Sequence, residues 1–265
     1  QIAIQRTPAP AANGWNTGEV TVSWTCTDGG SGPVAADGST VVGEGRDQSV
    51  TGTCADRAGN TSEATVDGIN VDTTAPGIVW DGGPAADGSY YYGSVPAAGT
   101  CTATDALSGP DGCAVTGYGA AVGSHELTAT AQDVAGNTSV EKRGYTVKAW
   151  THRGFYQPVD MGGVLNTVKN GSTVPLKFEL FAGDTELTST SAVKGFSATA
   201  VSCTTQAATE DAIEVTTTGG TSLRYDATAG QFVQNWQTPK KPGACYQVTM
   251  TTQDGSSTSA LFKLR

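Results

Sequence analysis

The chain has 265 residues, 35 of them glycine, with only 15% charged residues and a formal net charge of -10. That length suits two or three domains, each able to bury its own core. The 15 Lys and Arg are spread too thinly for the basic face that nucleic acid requires, and no run of 18 apolar residues is present for membrane insertion.

Glycine together with abundant Thr, Ser, Ala and Val describes strands and turns rather than helices. The six cysteines form no CxxC pair and fall two to each expected domain: Cys26 with Cys54, Cys101 with Cys113, and Cys203 with Cys245. An even count so distributed predicts three disulfides and an oxidising, extracellular setting in place of zinc.

The start, Gln1-Ile2-Ala3-Ile4, has neither an initiator Met nor the zones of a signal peptide. The chain is therefore expected to be a processed or excised piece of a larger protein, with upstream domains of the same polypeptide as its first partners. Ile2 and Ile4 open a strand. In Val20-Thr21-Val22-Ser23-Trp24-Thr25-Cys26 the alternate residues Val20, Val22, Trp24 and Cys26 share one strand face, and Ser49 to Cys54 ends in the same way. A bond from Cys26 to Cys54 would join two such strands across a core, which predicts an immunoglobulin-like sandwich. Ala64 to Val71 closes domain one, 1–72. Asp72-Thr73-Thr74-Ala75-Pro76 then reads as a short, semi-rigid linker, because Pro76 lacks a donor and pushes Ala75 toward an extended conformation.

Domain two, 73–148, repeats domain one. Thr27-Asp28-Gly29-Gly30-Ser31-Gly32 and Asp56-Arg57-Ala58-Gly59-Asn60-Thr61-Ser62 return as Thr104-Asp105-Ala106-Leu107-Ser108-Gly109 and Asp133-Val134-Ala135-Gly136-Asn137-Thr138-Ser139, both displaced by 77 residues. The same displacement puts Ala103 and Ala131 where Cys26 and Cys54 stand, so both cysteines are absent together, as a bonded pair predicts. Cys101 and Cys113 flank the turn Ser108-Gly109-Pro110-Asp111-Gly112 and are expected to clamp a local loop. Ala149 to Met161, with Trp150, His152, Phe155 and Tyr156, reads as aromatic and irregular.

In domain three, 149–265, Val174, Leu176, Phe178 and Leu180 alternate with Pro175, Lys177 and Glu179, the pattern of a half-buried strand with Pro175 at an edge or near its start. Val201 to Cys203 and Tyr246 to Thr252 are expected strands around the Cys203 to Cys245 bond. Leu261 to Leu264 is a final strand, an ending expected of a native C-terminus.

Residues 1–148 resemble the tandem bacterial Ig-like repeats of secreted and surface-attached proteins, through their Thr-Asp, Asp-x-Ala-Gly-Asn and Asp-x-Thr-Ala-Pro phrases. The remainder resembles the bacterial extracellular Pro-x-Lys-Phe (PxKF) module, through Pro175-Leu176-Lys177-Phe178, Ser222-Leu223-Arg224-Tyr225-Asp226, Gln231 to Pro239 and Gly243-Ala244-Cys245-Tyr246. These resemblances imply spacer or attachment units of exported proteins, without catalysis.

Three constellations bear on chemistry. His125 and His152 are the only histidines, and neither stands in a nucleophile motif, so a surface histidine beside a turn is expected. Lys177 and Asn235 could form an isopeptide bond only if the amine were buried and neutral, whereas alternation turns Lys177 away from the apolar face. Calcium is the third. In an immunoglobulin-like sandwich Asp105, Asp133 and Asn137 gather at one pole, where Asp72 arrives from the linker. Three carboxylates and an amide there would repel without a counter-ion, and calcium takes six to eight oxygens. The corresponding Asp28, Asp56 and Asn60 lack such a linker, so a weaker site or none is expected. The competing reading is a hairpin turn whose Asp and Asn bond their own backbone, and the residues leave both open.

The expected fold is all-β: three consecutive β-sandwich (immunoglobulin-like) domains in an elongated array. The expected function is that of a non-catalytic extracellular structural or adhesive region of a larger secreted bacterial protein. The alternative is a carbohydrate-binding accessory region of a polysaccharide-active enzyme, stacking sugars on Tyr90, Tyr91, Tyr92, Trp150 or Trp236, with a core role as the rival for Trp236. Calcium is the candidate cofactor, and cell-surface or extracellular polysaccharide the candidate partner.

Overall fold

The computed structural model describes residues 1–34, 37–215 and 222–265, and among these it is all-β, with one short 3-10 turn and no α-helix. Among the described residues no helix is long and apolar enough to cross a membrane. The chain divides into two compact units, one of residues 1–87, 96–118 and 126–144, the other of residues 88–95, 119–125 and 145–265.

The strands of the front part are β1 (Ile2–Thr7), β2 (Val20–Cys26), β3 (Gly38–Val42), β4 (Gly45–Ala55) and β5 (Thr61–Val71). They are followed by β6 (Gly77–Asp81), β7 (Gly88–Tyr91), β8 (Thr100–Thr104), β9 (Pro110–Thr116), β10 (Gly123–Asp133) and β11 (Thr138–Lys148). In the first unit β1, β2 and β3 form one antiparallel sheet, with Ile4 opposite Trp24 and Val20 opposite Val42. Strands β4 and β5 form a second, with Val50 opposite Val66. The period-2 pattern turns Val20, Val22, Val42, Ile69 and Val71 inward as a buried cluster, onto which Ile4, Val50 and Val66 pack. Cys26 and Cys54, Cα atoms 5.7 Å apart, tie β2 to β4 and so join the two sheets. Trp24 lies flat against Gly52, where a Cβ would stand 2.7 Å from the indole, so this strand glycine is there for close approach.

Further along the same unit, β6 pairs with β8, Ile78 opposite Ala103, and β9 pairs with β10, Thr116 opposite Thr128. A bulge at Gln132 and Asp133 ends the β9 to β10 ladder where the repeated turn begins. Ala131, at the place that Cys54 holds in the first copy, is fully buried. The Cys101 to Cys113 bond was expected to clamp only a local loop. Its cysteines lie on β8 and β9, which belong to different sheets, so it spans two layers as well as the turn.

In the second unit β7 runs parallel to the end of β11, Gly88 opposite Tyr145. Its other strands are β12 (Thr151–Tyr156), β13 (Leu165–Val168), β14 (Thr173–Ala182), β15 (Thr185–Leu187) and β16 (Val193–Val201). The chain continues as β17 (Ile213–Glu214), β18 (Arg224–Asp226), β19 (Gln231–Gln237), β20 (Cys245–Thr252) and β21 (Ser257–Leu264). One sheet has the order β12-β14-β19-β18, with β15 beside β14, and the other β13-β21-β20-β16-β17. Between them lies a core in which Phe178 stacks on Phe232 at 5.2 Å and meets Phe155 edge-on at 6.0 Å.

Two expectations about elements are corrected. Residues 151–156, read as irregular, form β12, because β14 supplies them with an antiparallel partner. Strand β16 ends at Val201, so Cys203 reaches Cys245 from a turn instead of a strand. Pro175 stands near the start of β14, before the stretch that β12 pairs with, where its missing donor costs no ladder bond to that strand.

Candidate metal centre

The two copies of the repeated phrases fold into the same pair of turns. Asp28 accepts the Gly32 N–H at 2.7 Å, and Asp105 accepts the Gly109 N–H at 2.7 Å. Asp56 accepts the Asn60 backbone N–H at 2.9 Å and its side-chain amide at 2.7 Å, while Asp133 accepts those of Asn137 at 2.8 and 2.9 Å. The Arg57 N–H donates to Gly32 and the Val134 N–H to Gly109, which ties the two turns of each copy side by side. Asp and Asn bonding their own backbone thus describes both copies, and this self-bonding fixes where each carboxylate stands.

The second copy differs in what arrives beside it. Asp72, fully buried, accepts the Thr74 N–H at 3.1 Å through Oδ1 and the Ser108 N–H at 3.0 Å through Oδ2. Carboxylate oxygens of Asp72, Asp105 and Asp133 come within 4.8 Å of one another. Asp133 is 1% exposed and Asp105 half-buried. Ser108 Oγ accepts the Ala135 N–H at 3.2 Å and locks the two turns together. Asn137 directs its amide nitrogen to Asp72 O at 2.9 Å and Thr74 O at 3.3 Å, so in this geometry it ties the linker to the turn as a donor.

Among the described residues no basic side chain forms an ion pair with this cluster. Among the described residues the ion pair found is Lys142 with Glu126, elsewhere in the unit. Arg46 approaches the same turns but donates to the Leu107 carbonyl and lies over the Trp15 ring. Two charges at such a separation repel by about 3 kcal/mol at an effective dielectric near 20, so Asp72 and Asp133 gain from a cation between them. The donor set is oxygen only, which suits a hard divalent ion such as calcium and offers nothing to zinc beyond carboxylate.

The first copy has no third carboxylate in reach among the described residues. Asp28 and Asn60 are exposed, and Asp56 is held below the ordinary carboxylate pKa by the hydrogen bond from the Asn60 side chain, assisted by neighbouring backbone N–H groups. There the Gln1 backbone nitrogen donates to the Thr27 carbonyl at 2.6 Å.

The other candidate residues are distributed as follows. His125 opens β10, stacks on Tyr145 at 5.4 Å and bonds the Ala121 carbonyl. His152 is half-buried on β12 with Nε2 at 2.8 Å from Ser256 Oγ and Nδ1 at 2.7 Å from Thr258 Oγ1. Asp254 accepts from the Ser256 hydroxyl and not from the imidazole, so the orienting carboxylate of a serine triad is not in its place. This contact joins residues 104 positions apart, beyond any sequence signal. Lys177 and Asn235 share the outer face of paired strands, but Asn235 stands opposite Pro175. Of the aromatics, Trp236 is 2% exposed and belongs to the core, which removes it from any stacking surface. Tyr90, Tyr91 and Tyr92 are half-buried, the last packed edge-on against Trp150.

No protein-family model and no curated protein matches the chain. A solved chain from a 1.5-MDa bacterial ice-binding adhesin aligns over 100% of this chain and 98% of its own length, at 13% identity and a TM-score of 0.30. Cadherin domains 1–4 of protocadherin gamma B7 align over 99% and 66%, at 12% identity and a TM-score of 0.26. The Bacteroides ovatus protein SGBP-B, in complex with a mixed-linkage heptasaccharide, aligns over 72% and 48%, at 13% identity and a TM-score of 0.21. Overlap this slight bears on neither the topology nor the role of this chain.

Proposed function

We propose that this chain is a non-catalytic, extracellular structural or adhesive region of a larger secreted bacterial protein, and that calcium holds the junction at Asp72. In this reading residues 1–148 are tandem Ig-like repeats and residues 149–265 a Pro-x-Lys-Phe type module. The observation that carries it is the gathering of Asp72, Asp105 and Asp133 without a basic partner. Asp72 comes from the linker and the other two from the second copy of the repeat, so one ion bound by all three would stiffen the connection between the copies. Asn137 would hold the linker carbonyls in place, while backbone carbonyls and water complete the coordination shell. The three disulfides support an oxidising, extracellular compartment, where calcium is abundant. The partners proposed with it are upstream domains of the same polypeptide and cell-surface or extracellular polysaccharide. Isothermal titration with calcium tests it: one site is expected in the parent chain and none in Asp72→Asn. No heat in the parent chain sinks the calcium reading.

A further inference from the structure

A cavity of about 390 Å³ opens on the second unit beside Trp150. Trp150, Glu186, Leu187, Thr188, Ser189 and Ser191 line it. The indole is held from several sides: Nε1 donates to the Tyr92 carbonyl at 3.0 Å, the ring meets Tyr92 edge-on at 5.3 Å, and the backbone N–H donates to Asp254 at 2.6 Å. With Nε1 already engaged, the ring has carbon surface left to offer. Glu186 is oriented by the Tyr225 hydroxyl, which donates to Oε1 at 2.7 Å. That hydrogen bond raises the Tyr225 pKa above its ordinary value, so the phenol remains a donor. Ser189 and Ser191 bond each other at 2.7 Å around the 3-10 turn Thr190–Ala192.

No Lys, Arg or His lines the cavity, and the chain carries a net charge of -10, so an anionic ligand is disfavoured. A fixed indole, a carboxylate held by a neighbour and a row of hydroxyls are the groups that recognise a sugar. The ring takes the C–H face, and the oxygens take the hydroxyls. The volume falls within the usual range of small-ligand sites. We propose that this cavity binds the neutral pyranose units of an extracellular polysaccharide. It goes beyond the calcium junction and does not depend on it, because all its lining residues lie in the second unit. Of the aromatics that composition offered for stacking, only Trp150 lines it, with Tyr92 as its support.

The test is affinity electrophoresis of the full chain, in EDTA, through gels containing hydroxyethylcellulose, xylan or glycol chitin. Retardation in at least one gel is expected, about tenfold weaker in Trp150→Ala, the loss of one aromatic stack. Trp80→Ala, which alters an aromatic of the other unit, should be retarded like the parent. Glu186 is exposed, so Glu186→Gln tests the site without threatening the fold, and weaker retardation is expected there too. No retardation in any gel overturns the proposal. So does full retardation of Glu186→Gln together with a folded Trp150→Ala.

Discussion

Asp72 accepts the backbone N–H of Ser108 through a carboxylate oxygen at 3.0 Å, in a turn that Asp105 already closes by accepting the Gly109 N–H at 2.7 Å. This bond brings a linker carboxylate, buried and without a basic partner, to turns whose own acidic groups are already fixed by backbone donors.

Calcium should therefore raise the thermal stability of the chain. At about a hundred times the dissociation constant a ligand stabilises by about 2.7 kcal/mol. For a unit of this size that is a rise in Tm of roughly 5 to 10 °C. Asp133→Asn keeps an oxygen for the Gly136 and Asn137 N–H groups while removing the charge, so its Tm should be the same with calcium and with EDTA. Calorimetry showing the full calcium shift in this variant would contradict the assignment.

Non-reducing mass spectrometry should find the pairs Cys26 to Cys54, Cys101 to Cys113 and Cys203 to Cys245, and no free thiol. Their closed loops differ, with sequence separations of 28, 12 and 42 residues. On chain entropy alone, replacing both cysteines by Ala should cost about 3 kcal/mol for the shortest loop and about 4 kcal/mol for the longest. Urea denaturation of the paired variants would show it, and an inverted order would mean that contacts other than loop closure dominate.

Phe178 is fully buried and touches Phe155, Phe196 and Phe232. Phe178→Ala should destabilise the second unit by about 3 to 5 kcal/mol. Val79→Ala, at a side chain 52% exposed, should cost under about 0.5 kcal/mol. Similar denaturation midpoints for the two variants would show that the Phe178 cluster is not the centre of that core.

Acid should weaken the second unit through His152. Burial pushes its pKa below the ordinary value, while Asp254 pulls the other way. The unfolded chain then takes up the proton first, at about pH 6.5. Stability is therefore whole above that pH and falls as the pH drops from there toward the lower folded value. Further down, Asp254 acts in the same direction. Desolvation alone would raise its pKa, but hydrogen bonds from Ser256, Thr252 and Trp150 outweigh it and hold the group below its usual range. Melting curves between pH 7.5 and 5 should converge when parent and His152→Gln are compared at the acid end, and parallel curves would remove His152 from this role.

Much of the architecture is local in origin and so is readable from residue order. Val20 and Val22, or Val174, Leu176 and Phe178, alternate because a strand has a side-chain period of 2. The 77-residue repeat requires Asp105 and Asp133 to stand together if Asp28 and Asp56 do, and Asp72 leads into that copy through a linker too short to lie elsewhere. The second copy has Ala103 and Ala131 where the first has Cys26 and Cys54, a joint replacement that marks the two cysteines as a bonded pair.

Tertiary structure decided what depends on partners distant in the chain. Residues 151–156 became a strand only because β14 offered its backbone donors and acceptors to them. Asn137 turns its amide nitrogen to the linker because the carbonyls of Asp72 and Thr74 stand there. His152 meets Ser256, and Trp150 comes to line a cavity with Glu186, through the packing of strands that no local pattern relates. Strand periodicity fixes which face a side chain takes, but the neighbours on that face follow from sheet order and register, which are properties of the whole fold.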